Sequence, residues 1–103
     1  MIDLNRLMEE NYQNAKARGY DVNNILADLK DAAGELIEAT SACEEYRHDL
    51  FSCRNDHDRK ERLFMLEVAD VIMCMLTVAH VMGWDAEEMM RICMDKNRMK
   101  IKG

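Results

Sequence analysis

The chain has 103 residues, of which 49% are hydrophobic and 33% are charged, and its net charge is −6. This length and composition are typical of one soluble domain with a modest core. The negative charge argues against a broad basic surface for duplex nucleic acid, and the absence of proline favours long helices.

The first half of the chain predicts two helices. One covers about residues 3–18 and ends at Gly19, and the next covers about residues 24–49, with Asp21 or Asn23 as its N-cap. The second helix has an apolar stripe with a 3.6-residue period, expected to face the core, and an acidic face beside it. The stripe is Ile25, Leu29, Ala32/Ala33, Leu36, Thr40 and Cys43, and the acidic face is Asp28, Asp31, Glu35 and Glu38.

The second half predicts a polar loop over residues 52–58 and two more helices. The third helix covers about residues 59–82 and ends at Gly83, and the fourth runs to about residue 98. Asp85 and Glu88 have the spacing of a capping box at the start of the fourth helix. The short connections predict an all-α, antiparallel four-helix bundle in a single domain. Because the third helix is so apolar, we expect further burial in a homodimer or homotetramer.

Two carboxylates interrupt the apolar third helix. Between residues 63 and 82 only Glu67, Asp70, Thr77 and His80 are not hydrophobic. A helix that is apolar nearly all round is expected in a core, where carboxylates are costly without a partner. Glu67 and Asp70 lie about one turn apart on one face, so they can bind a divalent cation between them.

Glu35 and Glu38 repeat this spacing on the second helix. If the second and third helices are antiparallel neighbours, the two acidic pairs face each other. Converging carboxylates suit Mg²⁺ or Mn²⁺, whose remaining ligands are water and substrate phosphates, and metal-bound water can become a nucleophile. The alternatives are a solvated acidic face at Glu35 and Glu38, and a buried acid pair at Glu67 and Asp70 that has basic partners.

The fourth helix ends in a basic segment that includes Lys96, Arg98 and Lys100. Such cations can neutralise phosphate oxygens, or they can simply complement the helix dipole. The N-terminus has no hydrophobic signal segment, and the acids of the third helix argue against a membrane span. We therefore expect a cytoplasmic protein, without a membrane partner, whose four cysteines are reduced thiols.

Four segments resemble the MazG-like, all-α nucleoside triphosphate pyrophosphohydrolases: residues 34–39 (GELIEA), 67–72 (EVADVI), 83–85 (GWD) and 96–98 (KNR). The resemblance covers nearly the whole chain. It implies a helical bundle, assembled as a dimer or tetramer, that cleaves a (d)NTP by attack of water on the α-phosphorus and releases pyrophosphate. It also implies that Mg²⁺ is bound by Glu35, Glu38, Glu67 and Asp70, and that the substrate phosphates are contacted by Lys96, Asn97 and Arg98.

Two positions depart from that family pattern. Ala32 stands where the first metal-binding glutamate is usual, so the literal ExxE of this chain, Glu35 and Glu38, comes one turn late. Cys93 stands where a phosphate-contacting lysine is usual. Both changes point to weakened or altered catalysis. The alternative function is a catalytically impaired homologue, a helical oligomer that binds nucleotide or a protein partner.

Two other metal sites fit the sequence less well. Cys43, His48, Cys53 and His57 surround the predicted loop, but they form no CxxC motif or compact zinc knuckle. A single ExxH, from Glu45 to His48, lacks the second copy that a di-iron bundle needs.

Overall fold

A computed structural model describes residues 2–52 and 57–102 of the chain, and side chains within 2–48 and 58–101. These residues form four α-helices and no strand, which confirms the all-α prediction. The helices are α1 (Leu4–Ala17), α2 (Ile25–Ser52), α3 (His57–Val81) and α4 (Ala86–Lys102).

The predicted ends of α1 and the predicted start of α4 are confirmed by their capping contacts. Asp3 Oδ1 accepts the backbone N–H groups of Asn5 and Arg6 at 3.1 and 3.2 Å, which satisfies two otherwise unpaired donors. Gly19 follows α1 with a φ of +90°, a conformation that glycine adopts at little cost. At the start of α4, the N–H of Glu88 donates to Asp85 Oδ1 at 3.1 Å.

Other helix ends differ from the prediction. The loop expected over residues 52–58 is shorter, because α2 continues to Ser52 and α3 begins at His57. Residues 53–56 lie outside the described part of the chain. Helix α2 begins at Ile25, so Asn24 occupies the N-cap position that was predicted for Asp21 or Asn23. Helix α4 continues past residue 98 to Lys102, since no proline or glycine intervenes to stop it.

The chain divides into two compact units. Unit 1 comprises Met1–Ile25 and Leu76–Gly103, and unit 2 comprises Leu26–Met75. In unit 1, α1 contacts α4, and its buried apolar side chains are Met8, Val22, Leu76, Val78, Ala79 and Ala86.

Polar contacts join α1 to the other elements of unit 1. Asn5 Oδ1 accepts the N–H of Ala86 at 2.7 Å, and Asn5 Nδ2 donates to Asp85 Oδ1 at 3.0 Å. Tyr12 donates its hydroxyl to Asn23 Oδ1 at 2.9 Å, and its ring centroid lies 4.2 Å from that of His80. His80 is thus a half-buried packing residue.

In unit 2, α2 and α3 meet in antiparallel order. The ring centroids of Tyr46 on α2 and Phe64 on α3 lie 6.0 Å apart. Glu38 lies two turns before Tyr46 and Glu67 lies about one turn after Phe64, and the carboxylates of Glu38 and Glu67 meet. Helix α2 presents its acidic face to α3. The predicted core stripe of α2 is therefore largely wrong, because Leu29 and Leu36 are exposed.

The expectation that α3 lies in a core holds for its last turns, where residues 76–79 are buried, and is wrong for the earlier part of the helix. Glu67 is half-buried and Asp70 is exposed, and several large apolar side chains of α3 are exposed as well. The physical reason is size, because one neighbouring helix covers only one side of an apolar helix. Helix α3 is long and apolar enough to cross a membrane by length and composition over Asp58–Val81, which is weak evidence by itself.

Candidate metal site

Three carboxylates converge between α2 and α3. One oxygen from each of Glu35, Glu38 and Glu67 lies within 4.8 Å of the others. Helix geometry puts Glu35 and Glu38 one turn apart on the side of α2 that faces α3, and the antiparallel register brings Glu67 opposite them. We refer to these three residues as the acidic cluster.

Burial and neighbouring carboxyl groups raise the pKa of two members of the acidic cluster. Burial is the largest cause of the raised pKa of Glu35, and contact with Glu38 and the charges of Glu38, Asp70 and Glu67 raise it further. Burial also raises the pKa of Glu67, as do Glu38 and Asp70. Glu35 and Glu67 therefore hold their protons to a higher pH than ordinary glutamates do, and a bound cation would compete with those protons.

Glu67 has an oxygen with no hydrogen-bond partner among the described residues. Its Oε2 atom is inaccessible to solvent. A buried carboxylate oxygen without a donor is costly, and a bound cation would satisfy it. The donor set, all carboxylate oxygen, is the chemistry that hard divalent cations prefer.

Asp70 lies beside the acidic cluster and is not one of its three converging residues. Its side chain is exposed, yet its charge raises the pKa of both Glu35 and Glu67. Of the four carboxylates that the sequence predicts as metal ligands, the structure brings three together and leaves Asp70 adjacent to them.

Cys74 is a neighbour of the site that the ligand prediction did not include. Its pKa is raised, first by burial and then by the nearby charges of Glu35, Asp31 and Asp70. The raised pKa favours the protonated thiol over the reactive thiolate. Cys74 follows Asp70 by four residues on the same helix, and this spacing places the two side chains on one face, close to each other.

An open groove of about 320 Å³ lies next to the acidic cluster. Two cluster members, Glu38 and Glu67, line it. The remaining lining residues are Ile37, Ser41, Ala42, Glu45 and Leu63. The groove combines apolar and polar side chains with carboxylates at one place, as small-molecule sites do.

The structure shows the environments of Ala32 and Cys93, the two positions that depart from the family pattern. Ala32 is buried, and its methyl group supplies no ligand atom. Cys93 is exposed on α4, where its Sγ accepts a hydrogen bond from Asn97 Nδ2 at 3.9 Å.

Arg98 forms an ion pair with Asp95 at 3.3 Å. Lys96, Asn97 and Arg98 are all exposed and belong to unit 1, whereas the acidic cluster belongs to unit 2.

The alternative zinc site is only partly described. Cys43 is half-buried and His48 is exposed on α2. Cys53 and the side chain of His57 lie outside the described part of the chain.

The acidic cluster is thus the strongest candidate for a functional site in the described part of the chain. It offers carboxylate oxygens to a cation, an unsatisfied oxygen on Glu67 and an adjoining groove. Comparison of the chain with models of protein families, with curated proteins and with solved structures gave no match.

Proposed function

We propose that the chain is a Mg²⁺-dependent nucleoside triphosphate pyrophosphohydrolase of the MazG-like, all-α type, which converts a (d)NTP to the monophosphate and pyrophosphate. The observation that carries this proposal is the convergence of Glu35, Glu38 and Glu67. The matching segments of the sequence supply the reaction type, and the acidic cluster supplies a site for the ion that the reaction needs.

Mg²⁺ fits the acidic cluster better than a soft metal does. The converging atoms are all carboxylate oxygens, and Mg²⁺ binds through a few carboxylates while it keeps several waters. Mn²⁺ accepts the same ligands. When bound, the ion would neutralise phosphate charge and lower the pKa of a coordinated water.

The residues of this chain would divide the remaining work. Glu35, Glu38 and Glu67 hold the ion, and Asp70 adds negative charge beside them. The groove next to Glu38 and Glu67 would receive the nucleoside part of the substrate. The resemblance assigns the substrate phosphates to Lys96, Asn97 and Arg98, and exposed cations and an amide are suitable donors to phosphate oxygens.

The second candidate function is a catalytically impaired homologue that binds nucleotide or a protein partner as a helical oligomer. Ala32 and Cys93 favour it, because neither side chain can do what a glutamate or a lysine does there. This candidate predicts nucleotide binding or assembly without turnover.

Two measurements test the proposed function. Pyrophosphate release is measured over a full panel of NTPs and dNTPs with Mg²⁺ or Mn²⁺, and nucleotide binding is measured by calorimetry with a non-hydrolysable NTP. Turnover of at least one triphosphate that disappears in Glu38→Gln and persists in Glu44→Gln supports the hydrolase. Glu44 is the matched control because it is an exposed acid on the same helix, outside both the acidic cluster and the groove. Binding without turnover supports the impaired homologue, and absence of both contradicts the two candidates.

A further inference from the structure

The groove beside the acidic cluster contains one carboxylate that the proposed metal ion would not use. Glu38, Glu45 and Glu67 all line the groove, and among these lining residues only Glu45 lies outside the acidic cluster. A metal ion held by the acidic cluster would occupy oxygens of Glu38 and Glu67. The carboxylate of Glu45 would then remain available to accept hydrogen bonds from a ligand in the groove.

Ser41 places a hydroxyl group next to Glu45. The two residues are four apart on α2, so their side chains lie on one face of the helix, about one turn apart. Both are exposed, and both line the groove. The hydroxyl can donate one hydrogen bond, and the carboxylate can accept two side by side. This end of the groove therefore matches a ligand edge that has two adjacent donors beside an acceptor.

Apolar side chains from both helices form walls of the groove. Ile37 on α2 and Leu63 on α3 expose 69 and 46% of their surface, so they can pack against the faces of a flat ring. The volume of about 320 Å³ is at the lower end of the ~300–1,000 Å³ that small-molecule sites have. The groove therefore suits one heterocyclic ring system better than a larger ligand.

The position of Glu45 along α2 suits a nucleotide whose phosphates lie at the acidic cluster. Glu45 follows Glu38 by seven residues, which is about two turns or about 10.5 Å along the helix. A nucleotide with its α-phosphate at the cation would extend its base over a comparable span. The far edge of the base would then reach Ser41 and Glu45.

We propose that this groove selects guanine, an inference that rests on the proposed function and names the base that the site prefers. Glu45 accepts hydrogen bonds from guanine N1–H and from the 2-amino group, and Ser41 donates to guanine O6. Adenine and cytosine present one amino group beside a ring nitrogen that is an acceptor, which a carboxylate repels. Uracil and thymine present one N–H between two carbonyl oxygens. Guanine therefore matches the two side chains best.

The pair GTP and ITP tests the contact with Glu45, because inosine differs from guanosine only by the missing 2-amino group. Calorimetry with Mg²⁺ and non-hydrolysable analogues should show the GTP analogue bound at least about tenfold more tightly than the ITP, ATP, CTP and UTP analogues. This is the effect expected from one hydrogen bond to a charged group. Glu45→Gln should lose most of the difference between GTP and ITP. Glu44→Gln, an exposed acid outside the groove, should keep it.

Kinetic and metal-binding measurements distinguish a base contact from a general effect of the substitution. Glu45→Gln should raise the KM for GTP at least about tenfold and change kcat much less, because the contact is remote from the reacting phosphate. Its affinity for Mn²⁺ without nucleotide should equal that of the wild type, since Glu45 lies outside the acidic cluster. Circular dichroism checks that its helices are retained, and Ser41→Ala, which should weaken GTP binding by the loss of the O6 contact, provides a second variant.

The outcomes separate a wrong base from a wrong function. Nucleotide binding or turnover without a preference for guanine, or a preference for GTP over ITP that persists in Glu45→Gln, would overturn the guanine site and leave the hydrolase standing. Absence of binding of every nucleotide would overturn both. A guanine preference in binding without turnover would support the guanine site in the impaired homologue.

Discussion

Glu38 and Glu67 bring carboxylate oxygens within 4.8 Å of each other across the contact between α2 and α3. Glu38 raises the pKa of both Glu35 and Glu67, so it is the central residue of the acidic cluster. Two carboxyl groups at this distance cannot both be ionised without strong repulsion, unless a proton or a cation lies between them. A proton or a cation that reduces the charge of the acidic cluster should therefore also stabilise the contact between α2 and α3.

Glu38→Gln should stabilise the metal-free protein at neutral pH and weaken metal binding. The substitution removes one of three crowded charges while it keeps hydrogen-bonding groups toward Glu35 and Glu67. Thermal unfolding without metal should show a higher midpoint than the wild type. Titration with Mn²⁺ should show an affinity lower by at least about tenfold, as is usual on loss of a metal-binding group. Glu45→Gln should change neither quantity, and equal effects in both variants would contradict the central role of Glu38.

The stability of the metal-free protein should fall as pH rises above the range in which glutamates ordinarily titrate. The pKa values of Glu35 and Glu67 are raised from the ordinary value of 4.5, first by burial and then by neighbouring carboxylates. A raised pKa means that the folded state holds protons that the unfolded state releases. The stabilisation is thus complete below pH 4.5 and is lost as pH rises through the raised pKa values.

Divalent cations should reverse this pH dependence. Mn²⁺ competes with protons for the same oxygens, so its affinity should rise over the pH range in which the metal-free protein loses stability. Urea unfolding from pH 4 to pH 8, with and without Mn²⁺, measures both effects. A metal-free protein whose stability does not decrease over this range would show that Glu35 and Glu67 do not titrate as proposed.

The sequence predicted the helices well because their ends carry local signals. Asp3 and Asp85 cap α1 and α4 through contacts within three residues, and such contacts are encoded locally. The loop between α2 and α3 was overestimated because polar residues are compatible with an exposed helix as well as with a loop.

The direction in which α2 faces could not be predicted from periodicity. The apolar stripe with Leu29 and Leu36 and the acidic face with Glu35 and Glu38 are both regular, and a regular stripe does not specify its neighbour. The sequence favoured the apolar stripe for the core, whereas the structure turns the acids toward α3. The convergence of Glu35, Glu38 and Glu67 was nevertheless expected, because antiparallel neighbours with matching acid pairs bring them together.

Asp70→Ala should abolish pyrophosphate release if the proposed hydrolase activity exists. Asp70 lies beside the acidic cluster and acts on Glu35 and Glu67, so its removal lowers the negative charge available to a bound ion. Turnover should drop at least about tenfold, the size expected for a residue that supports a metal site. Glu61→Ala is the matched control, an exposed acid on the same helix. Comparable loss in both variants would point to a general charge effect.

Asn5→Ala should destabilise unit 1 without affecting metal binding. Asn5 accepts the N–H of Ala86 at 2.7 Å and donates to Asp85 Oδ1 at 3.0 Å, so one side chain ties α1 to the first turn of α4. Its loss leaves the N–H of buried Ala86 without that partner, at a cost of about 1–2 kcal/mol in the free energy of unfolding. Asn14→Ala, on the exposed side of the same helix, should cost much less.

The hydrogen bond from Asn5 also holds the pKa of Asp85 below its ordinary value, so the stability that this bond contributes is lost as pH falls through the lowered pKa. The difference in urea-unfolding free energy between wild type and Asn5→Ala should therefore shrink in acid, and a difference that grows there would contradict the assignment.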